Sequence, residues 1–290
     1  MNELHILDVG RADCSILLLD TKEGRKTVVI DGGELSYGGH QPLLEFLEER
    51  GICKIDLLIL THLHQDHFGG FHQLIGRVAV RRGVVPCGDL VFNEKVYPLF
   101  GDQEFYREYH RIFQYFRQSG TELAFSPSCW GKSFAFGESS LRCLYPRPDS
   151  PMRSVRYAEA LCAPELTDGQ LCSLLELHKR SCNEDSSIWF LEHRGSPIAL
   201  FTGDSTDETL RLALEAGGPV HPKVQKLSHH GIGQPYFSEE TQKKILPKNL
   251  VVSVDKNHYN EDMRITVERL AAAGGSQVHY TFQGAFALYF

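Results

Sequence analysis

The chain has 290 residues, 42% of them hydrophobic, enough for a sizeable core in one large domain or two small ones. With 30 basic against 37 acidic side chains its formal charge is −7, and no long basic run offers the phosphate contacts of a duplex-binding surface; Arg77, Arg81 and Arg82 read as a solvated turn. Eight cysteines without a C-x-x-C pair suggest reduced, mostly buried thiols in a cytoplasmic setting, and neither a signal peptide nor a membrane-spanning run is expected.

Short apolar runs predict strands over 4–9, 15–19 and 26–30, with Gly24 in a hairpin turn and Asp31-Gly32-Gly33 closing the third. A helix is expected over 42–50: Pro42 lies near its start, Leu43, Leu44 and Leu47 share a face, and Gly51 ends it. The run Ile55-Asp56-Leu57-Leu58-Ile59-Leu60 reads as a buried strand leading into Thr61-His62-Leu63-His64-Gln65-Asp66-His67-Phe68-Gly69-Gly70. Short strands and turns follow over 84–102. A helix over 103–120 carries Phe105, Tyr109, Ile112, Phe113 and Phe116 as a core-facing stripe. Short strands resume over 130–145, with a turn at 134–137. Residues 146–180 open with Pro146, Arg147, Pro148 and Pro151 and continue into a helix over 168–179, which reads as a helical insertion in one domain spanning 1–290. Strands are expected over 187–192, 197–201, 224–227, 250–254, 277–281 and 285–290, and helices over 206–216 and 265–273. Strands first and helix-strand units later make an α+β layered pattern.

Four potential metal ligands, His62, His64, Asp66 and His67, fall within six residues after one strand. Asp204 and His230 likewise follow short apolar strands, so strand ends on one edge of a sandwich would bring all six together. Imidazole and carboxylate suit zinc, and also manganese or iron. Two ions ~3.5–4 Å apart can clamp both the attacking and the leaving oxygen of a displacement and bring a bound water's pKa to ~7. A carboxylate such as Asp204 can bridge them. That metal-bound hydroxide makes a serine or cysteine nucleophile unnecessary.

The H-x-H-x-D-H run, Thr202-Gly203-Asp204 and Ser228-His229-His230-Gly231 resemble the metallo-β-lactamase superfamily. Leu7-Asp8-Val9-Gly10-Arg11-Ala12-Asp13, Val29-Ile30-Asp31-Gly32-Gly33 and Asn183-Glu184-Asp185-Ser186-Ser187 resemble one branch of it, the hydrolase domain of bacterial competence DNA-uptake proteins. The resemblance covers most of the chain outside roughly 85–180. It implies a four-layer αββα sandwich and a site of one or two zinc ions, with manganese as the alternative. In that site His62 and His64 bind the first ion, Asp66, His67 and His230 the second, and Asp204 both. Asp66 and His230 are the catalytic candidates, Asp66 as a general acid. His229 competes with its neighbour as the ligand or contacts substrate oxygen, and Asp31 either orients a ligand histidine or is a simple turn carboxylate.

Two departures stand out. Many members carry a third first-site histidine where this chain has Asn183, Glu184 and Asp185, which makes Asn183 and Asp185 further ligand candidates; His178 and His193 read as structural or solvated. The branch's late G-H-P turn is replaced by Asn257-His258-Tyr259-Asn260, so His258 is a candidate substrate contact from a shifted position. The expected function is a metal-dependent hydrolase, a phosphodiesterase or nuclease acting on a small molecule or single-stranded nucleic acid. The alternatives are lactone, lactam or thioester hydrolysis and a non-catalytic metal-binding module. A redox di-iron role is disfavoured, because His64 stands where such members carry Glu.

Overall fold

The computed structural model describes residues 1–100 and 105–290. In β2 (Ser15–Thr21) Leu17 and Leu19 enter one apolar cluster and Ile16 and Leu18 another, as period-two alternation requires. Both faces of the strand are therefore covered, which is why it reads as an unbroken apolar run. Its neighbours are β1 (Glu3–Ile6) and β3 (Gly24–Ile30), both antiparallel to it. Beyond β3, β5 (Leu57–Ile59), β7 (Arg82–Val85) and β8 (Glu122–Phe125) run parallel to it and to one another. The C-terminal strand β16 (Phe286–Tyr289) closes the other edge beside β1, giving seven strands.

The second sheet also has seven strands. β9 (Ser133–Phe136), β10 (Ser139–Tyr145), β11 (Ile188–His193) and β12 (Ser196–Phe201) form an antiparallel meander. β13 (Val224–Lys226), β14 (Asn249–Val252) and β15 (Gln277–Tyr280) then continue parallel to β12. The sheets bury Leu17, Leu19, Val28, Leu57 and Ile59 of the first against Leu141, Trp189, Leu191, Phe201 and Val224 of the second. α1 (Pro42–Glu49) and α3 (Phe105–Gln118) cover the outer face of the first sheet through Leu43, Leu47, Tyr109, Ile112 and Phe116. α4 (Arg153–Leu161) and α5 (Asp168–Ser181) join the same layer through Val155, Ala158, Leu161, Leu171 and Leu175. α6 (Asp207–Glu215), α7 (Glu239–Ile245) and α8 (Glu261–Gly274) cover the second sheet. This is the expected αββα sandwich.

Differences from the sequence reading have local causes. The strand expected over 55–60 divides, because the Asp56 carboxylate accepts a hydrogen bond from the Thr27 amide at 3.1 Å. Its first part, β4 (Lys54–Ile55), pairs instead with β6 (Ala79–Val80) in a two-stranded ribbon. Residues 101–104, which include the expected start of the long helix and the end of the preceding strand-and-turn segment, lie outside the described residues. The turn expected at 134–137 is displaced, because 133–136 pair with β10 and Gly137 makes the bend. α4 and α7 are additional helices, and α8 starts earlier than 265 because Asn260 caps it by accepting from Met263 N.

Candidate metal centre

Four parallel strands end at one edge of the sandwich, β3 and β5 from the first sheet and β12 and β13 from the second. The ends are tied together: Asp31 N bonds Ile59 O at 2.8 Å, Ser187 N bonds Thr61 O across the sheets at 3.0 Å, and His229 N bonds Gly203 O at 3.3 Å. After β5 the chain makes a single helical turn, α2 (Gln65–Phe68), and folds back on the Asp31-Gly32-Gly33 turn. Only glycine fits at position 70, where a Cβ would come within 2.0 Å of Gly32 O. Beyond β13, His229 and His230 both adopt left-handed backbone, φ 45° and 53°. Such conformations cost of order 1–3 kcal/mol each away from glycine. The bend turns the His230 ring onto Asp66, with its Nε2 3.2 Å from Asp66 Oδ2.

Three imidazoles are anchored through Nδ1 and present Nε2 to the same space. His67 Nδ1 donates to Asp31 Oδ2 at 2.9 Å, and His230 Nδ1 donates to Ser253 O at 3.1 Å. His62 Nδ1 lies 3.1 Å from Thr61 Oγ1 and 3.4 Å from Ser186 Oγ. His62 Nε2 is 2.9 Å from His64 Nδ1. Asp204 stands in the middle: its Oδ2 is 3.9 Å from His62, 3.4 Å from His67, 3.8 Å from His229 and 3.5 Å from His230. Among the described residues Asp204 joins two groups of donors, His62, His64 and Asp204 on one side and Asp66, His67, His230 and Asp204 on the other, and a third group, Asp13, Asp31 and His67, lies behind His67.

Without metal, the charges of this buried cluster settle on one another. Burial works against a charged His67, but Asp204, Asp31 and Asp66 outweigh it and hold the imidazolium well above its ordinary pKa. His230 likewise overcomes burial, raised to about 9 chiefly by Asp204 and Asp66. Asp66 and Asp204 stay ionised, since His67 and His230 outweigh their burial. His62 goes the other way, pushed well below its ordinary value by burial and by His67 and His64. His67 Nε2 and Asp204 Oδ1 are nevertheless buried without a hydrogen-bond partner. A buried polar atom left so is costly; His67 Nε2 faces the Asp66 and Asp204 carboxylates, and Asp204 Oδ1 lies on the side of Lys226. Divalent cations fit this arrangement, and binding them would displace the protons on His67 and His230.

The structure brings His62, His64, Asp66, His67, Asp204 and His230 together. It places His230, not His229, in the second donor group. His229 lies beside it, its ring 3.8 Å from that of Tyr236, and burial, outweighing Asp204, pushes it down to about 4 and keeps it neutral. Asp185 is turned away: it accepts from Ser154 N at 2.7 Å and Arg153 N at 3.2 Å, capping α4. Asn183 donates through Nδ2 to Tyr236 OH at 3.2 Å, and its Oδ1 is buried without a partner. His178 and His193 bond Ser154 O and Ser139 Oγ respectively. His258 is held by Asp255 at 2.7 Å on the rim, where Glu34 feels both His258 and His230. The sequence reading missed two residues. Asp13 Oδ1 lies 3.5 Å from His230 Nδ1, and Lys226 forms a close ion pair with Asp13. Asp13 ends the D-V-G segment and Lys226 lies in a short strand, but nothing local in the sequence links either to the donors.

Asp31 also accepts from Thr61 N and Thr61 Oγ1, both at 2.8 Å, and its φ of 58° is one that asparagine tolerates. Asp31→Asn therefore isolates the charge behind His67 without straining the turn. The expected result is a ~10–100-fold loss of metal affinity, measured by competition with a chromophoric chelator.

Among solved structures, the whole chain superposes on Igni18, a metallo hydrolase from the archaeon Ignicoccus hospitalis, with a TM-score of 0.52, 15% identity and 99% of each chain covered. It superposes on unliganded yeast PDE1 with a TM-score of 0.52 and 13% identity, covering 100% of this chain and 99% of that one. Residues 9–92 match the family model of the metallo-β-lactamase superfamily. The chain is a metallo-β-lactamase-fold protein. The superfamily whose model matches residues 9–92 consists mostly of metal-dependent hydrolases that bind divalent metal ions. Over 270 residues, 88% of this chain, the metallo-β-lactamase fold here is 26% identical to ComE operon protein 3 of Bacillus subtilis (strain 168). Over 116 residues, 38% of the chain, it is 31% identical to a hydroxyacylglutathione hydrolase of Chromohalobacter salexigens. The chain spans 29% and 40% of the lengths of these two curated relatives.

Proposed function

We propose that this protein hydrolyses phosphodiesters in a small or single-stranded nucleic-acid substrate, using two divalent ions, zinc by donor chemistry with manganese as the alternative. The observation that carries the reading is the placement of Asp204 Oδ2 between two donor groups, one ending in His62 and His64 and the other in Asp66, His67 and His230. When bound, a pair of such ions supplies a nucleophile at neutral pH and offsets the charge that develops on attacking and leaving oxygens. His67 and His230 hold their orientation through Asp31 and the Ser253 carbonyl. Asp66 is an ionised carboxylate beside His230, and with ions bound its oxygen would take up a proton first and return it to a leaving oxygen afterwards. Tyr236 joins His229 and Asn183 in one contact group beside the centre, its ring 3.8 Å from that of His229 and its OH 3.2 Å from Asn183 Nδ2. The similarity to ComE operon protein 3 over most of the chain supports a phosphodiester, as do the DNA-uptake motifs in the sequence. The net charge of −7 favours a substrate with few phosphates. The eight free thiols suit a reducing, cytoplasmic setting, and among the described residues no helix is long and apolar enough to cross a membrane.

A second reading is thioester hydrolysis by the same centre, supported by the 31% identity to a hydroxyacylglutathione hydrolase over 116 residues. Bis(p-nitrophenyl) phosphate, short single-stranded oligonucleotides, an acyl-glutathione and a lactone, each offered with zinc or manganese, separate the two. Phosphodiester turnover is expected, abolished in His64→Ala. Acyl-glutathione or lactone turnover alone would replace the first reading by the second.

A further inference from the structure

Lys226 is the charged side chain that the proposed chemistry leaves unused, although it is 2% exposed and lies directly behind the centre. A buried ammonium carries a large desolvation cost, so its partners identify what it is there to hold. They are three. Its Nζ forms a close ion pair with Asp13 Oδ2, donates to Gly203 O at 3.3 Å and lies 3.8 Å from Asp204 Oδ1. The two oxygens of Asp204 thus have separate environments. Oδ2 faces His62, His67, His229 and His230, all within 3.4–3.9 Å. Oδ1 is buried, makes no hydrogen bond, and has the Lys226 ammonium as its nearby cation.

We propose that Lys226 is a positioning residue that orients Asp204, holding its Oδ1 away from the donor groups so that Oδ2 is the single oxygen shared between them. The bond to Gly203 O fixes the ammonium to the backbone immediately before Asp204, so the cation that attracts Oδ1 is anchored independently of the carboxylate. A carboxylate free to rotate would offer one oxygen to each ion and let the two ions separate. With Oδ1 facing the lysine, Oδ2 would be the oxygen offered to both donor groups. This inference rests on the two-ion reading of the centre and is independent of the substrate.

The competing explanation is that Lys226 only neutralises Asp13. Asp13→Asn removes that task and leaves Asp204 as the lysine's remaining carboxylate, so the informative comparison is Asp13→Asn against Asp13→Asn with Lys226→Met. The double variant leaves no unpaired buried charge between these two positions, which keeps it foldable where Lys226→Met alone is at risk. Metal-stripped wild type and both variants are titrated with Mn2+, following stoichiometry by calorimetry and spin coupling between ions by EPR. Wild type and Asp13→Asn are expected to take two ions with a coupled signal. The double variant is expected to bind the second ion ~10–100-fold more weakly and to lose the coupled signal. A double variant that matches Asp13→Asn in affinity and coupling overturns the proposal. So does Asp13→Asn losing the coupling by itself, since Lys226 would then act only through Asp13. A wild type that takes fewer than two ions fails at an earlier and separate step, and removes the two-ion reading with it.

Discussion

Asp204→Asn is expected to leave a folded protein that retains little metal and has lost at least ~10³-fold in turnover, because several kcal/mol of transition-state charge stabilisation go with the ions and each 1.36 kcal/mol is a factor of ten. Among the described residues no other side chain belongs to both of the donor groups that Asp204 joins. The substitution keeps the shape and removes the charge, so what changes is electrostatic. In the metal-free protein Asp204 is the largest favourable influence on both His67 and His230. Taking it away leaves Lys226 with Asp13 alone and leaves two buried imidazoles to surrender their protons. Breaking a buried ion pair in this way costs about 3–5 kcal/mol, lowered here by the ability of imidazole to become neutral. The sign is therefore double: lower stability of the stripped protein, and loss of the stabilisation that metal adds. Metal content by mass spectrometry and the melting temperature with and without added zinc check both. A variant with a full metal complement and wild-type turnover would remove Asp204 from the centre.

How much of this was legible in the sequence depends on where each residue finds its partners. The 61–70 stretch was readable because its donors are contiguous and follow an apolar strand. Asp204 and His230 were readable for a similar reason, each lying just beyond a short run of buried residues. Asp13 was not, because its partners lie at 66, 67, 226 and 230 and no local pattern connects them. Lys226 passed as one residue of the strand expected over 224–227, and only the topology puts Asp13 beside it. Asp185 went astray for the opposite reason: it sits where a ligand is expected, but the serine and arginine amides at the start of α4 capture it. That helix was itself invisible, since the residue before it, Met152, is in left-handed backbone and caps nothing, and the capping carboxylate comes from distant Asp185. α7 was missed because its buried face is Thr241, Gln242 and Ile245, too polar to register as a periodic stripe.

The largest stability effect is expected from Trp189→Ala. Trp189 is fully buried between the two sheets, packs with its ring centroid 5.9 Å from Phe134, and donates through Nε1 to Ser187 Oγ at 2.9 Å. Deleting the indole opens a cavity in close-packed surroundings and leaves the Ser187 hydroxyl without its donor. Phe or Trp to Ala changes of this kind cost about 3–5 kcal/mol, a drop on the order of 10 °C in melting temperature for a chain of this size. The site lies at the near end of the same strand: Ser187 N bonds Thr61 O, and Ser186 Oγ accepts from Asp204 N at 3.1 Å. A loosened β11 would therefore release both His62 and Asp204 as temperature rises. Below the transition, metal stoichiometry should be that of the wild type; near it, metal and fold should be lost together. Urea unfolding of stripped and zinc-loaded protein measures the two effects. A stripped Trp189→Ala protein within 1 kcal/mol of wild type, roughly the scale of a surface substitution, would show that the sheets do not depend on this contact.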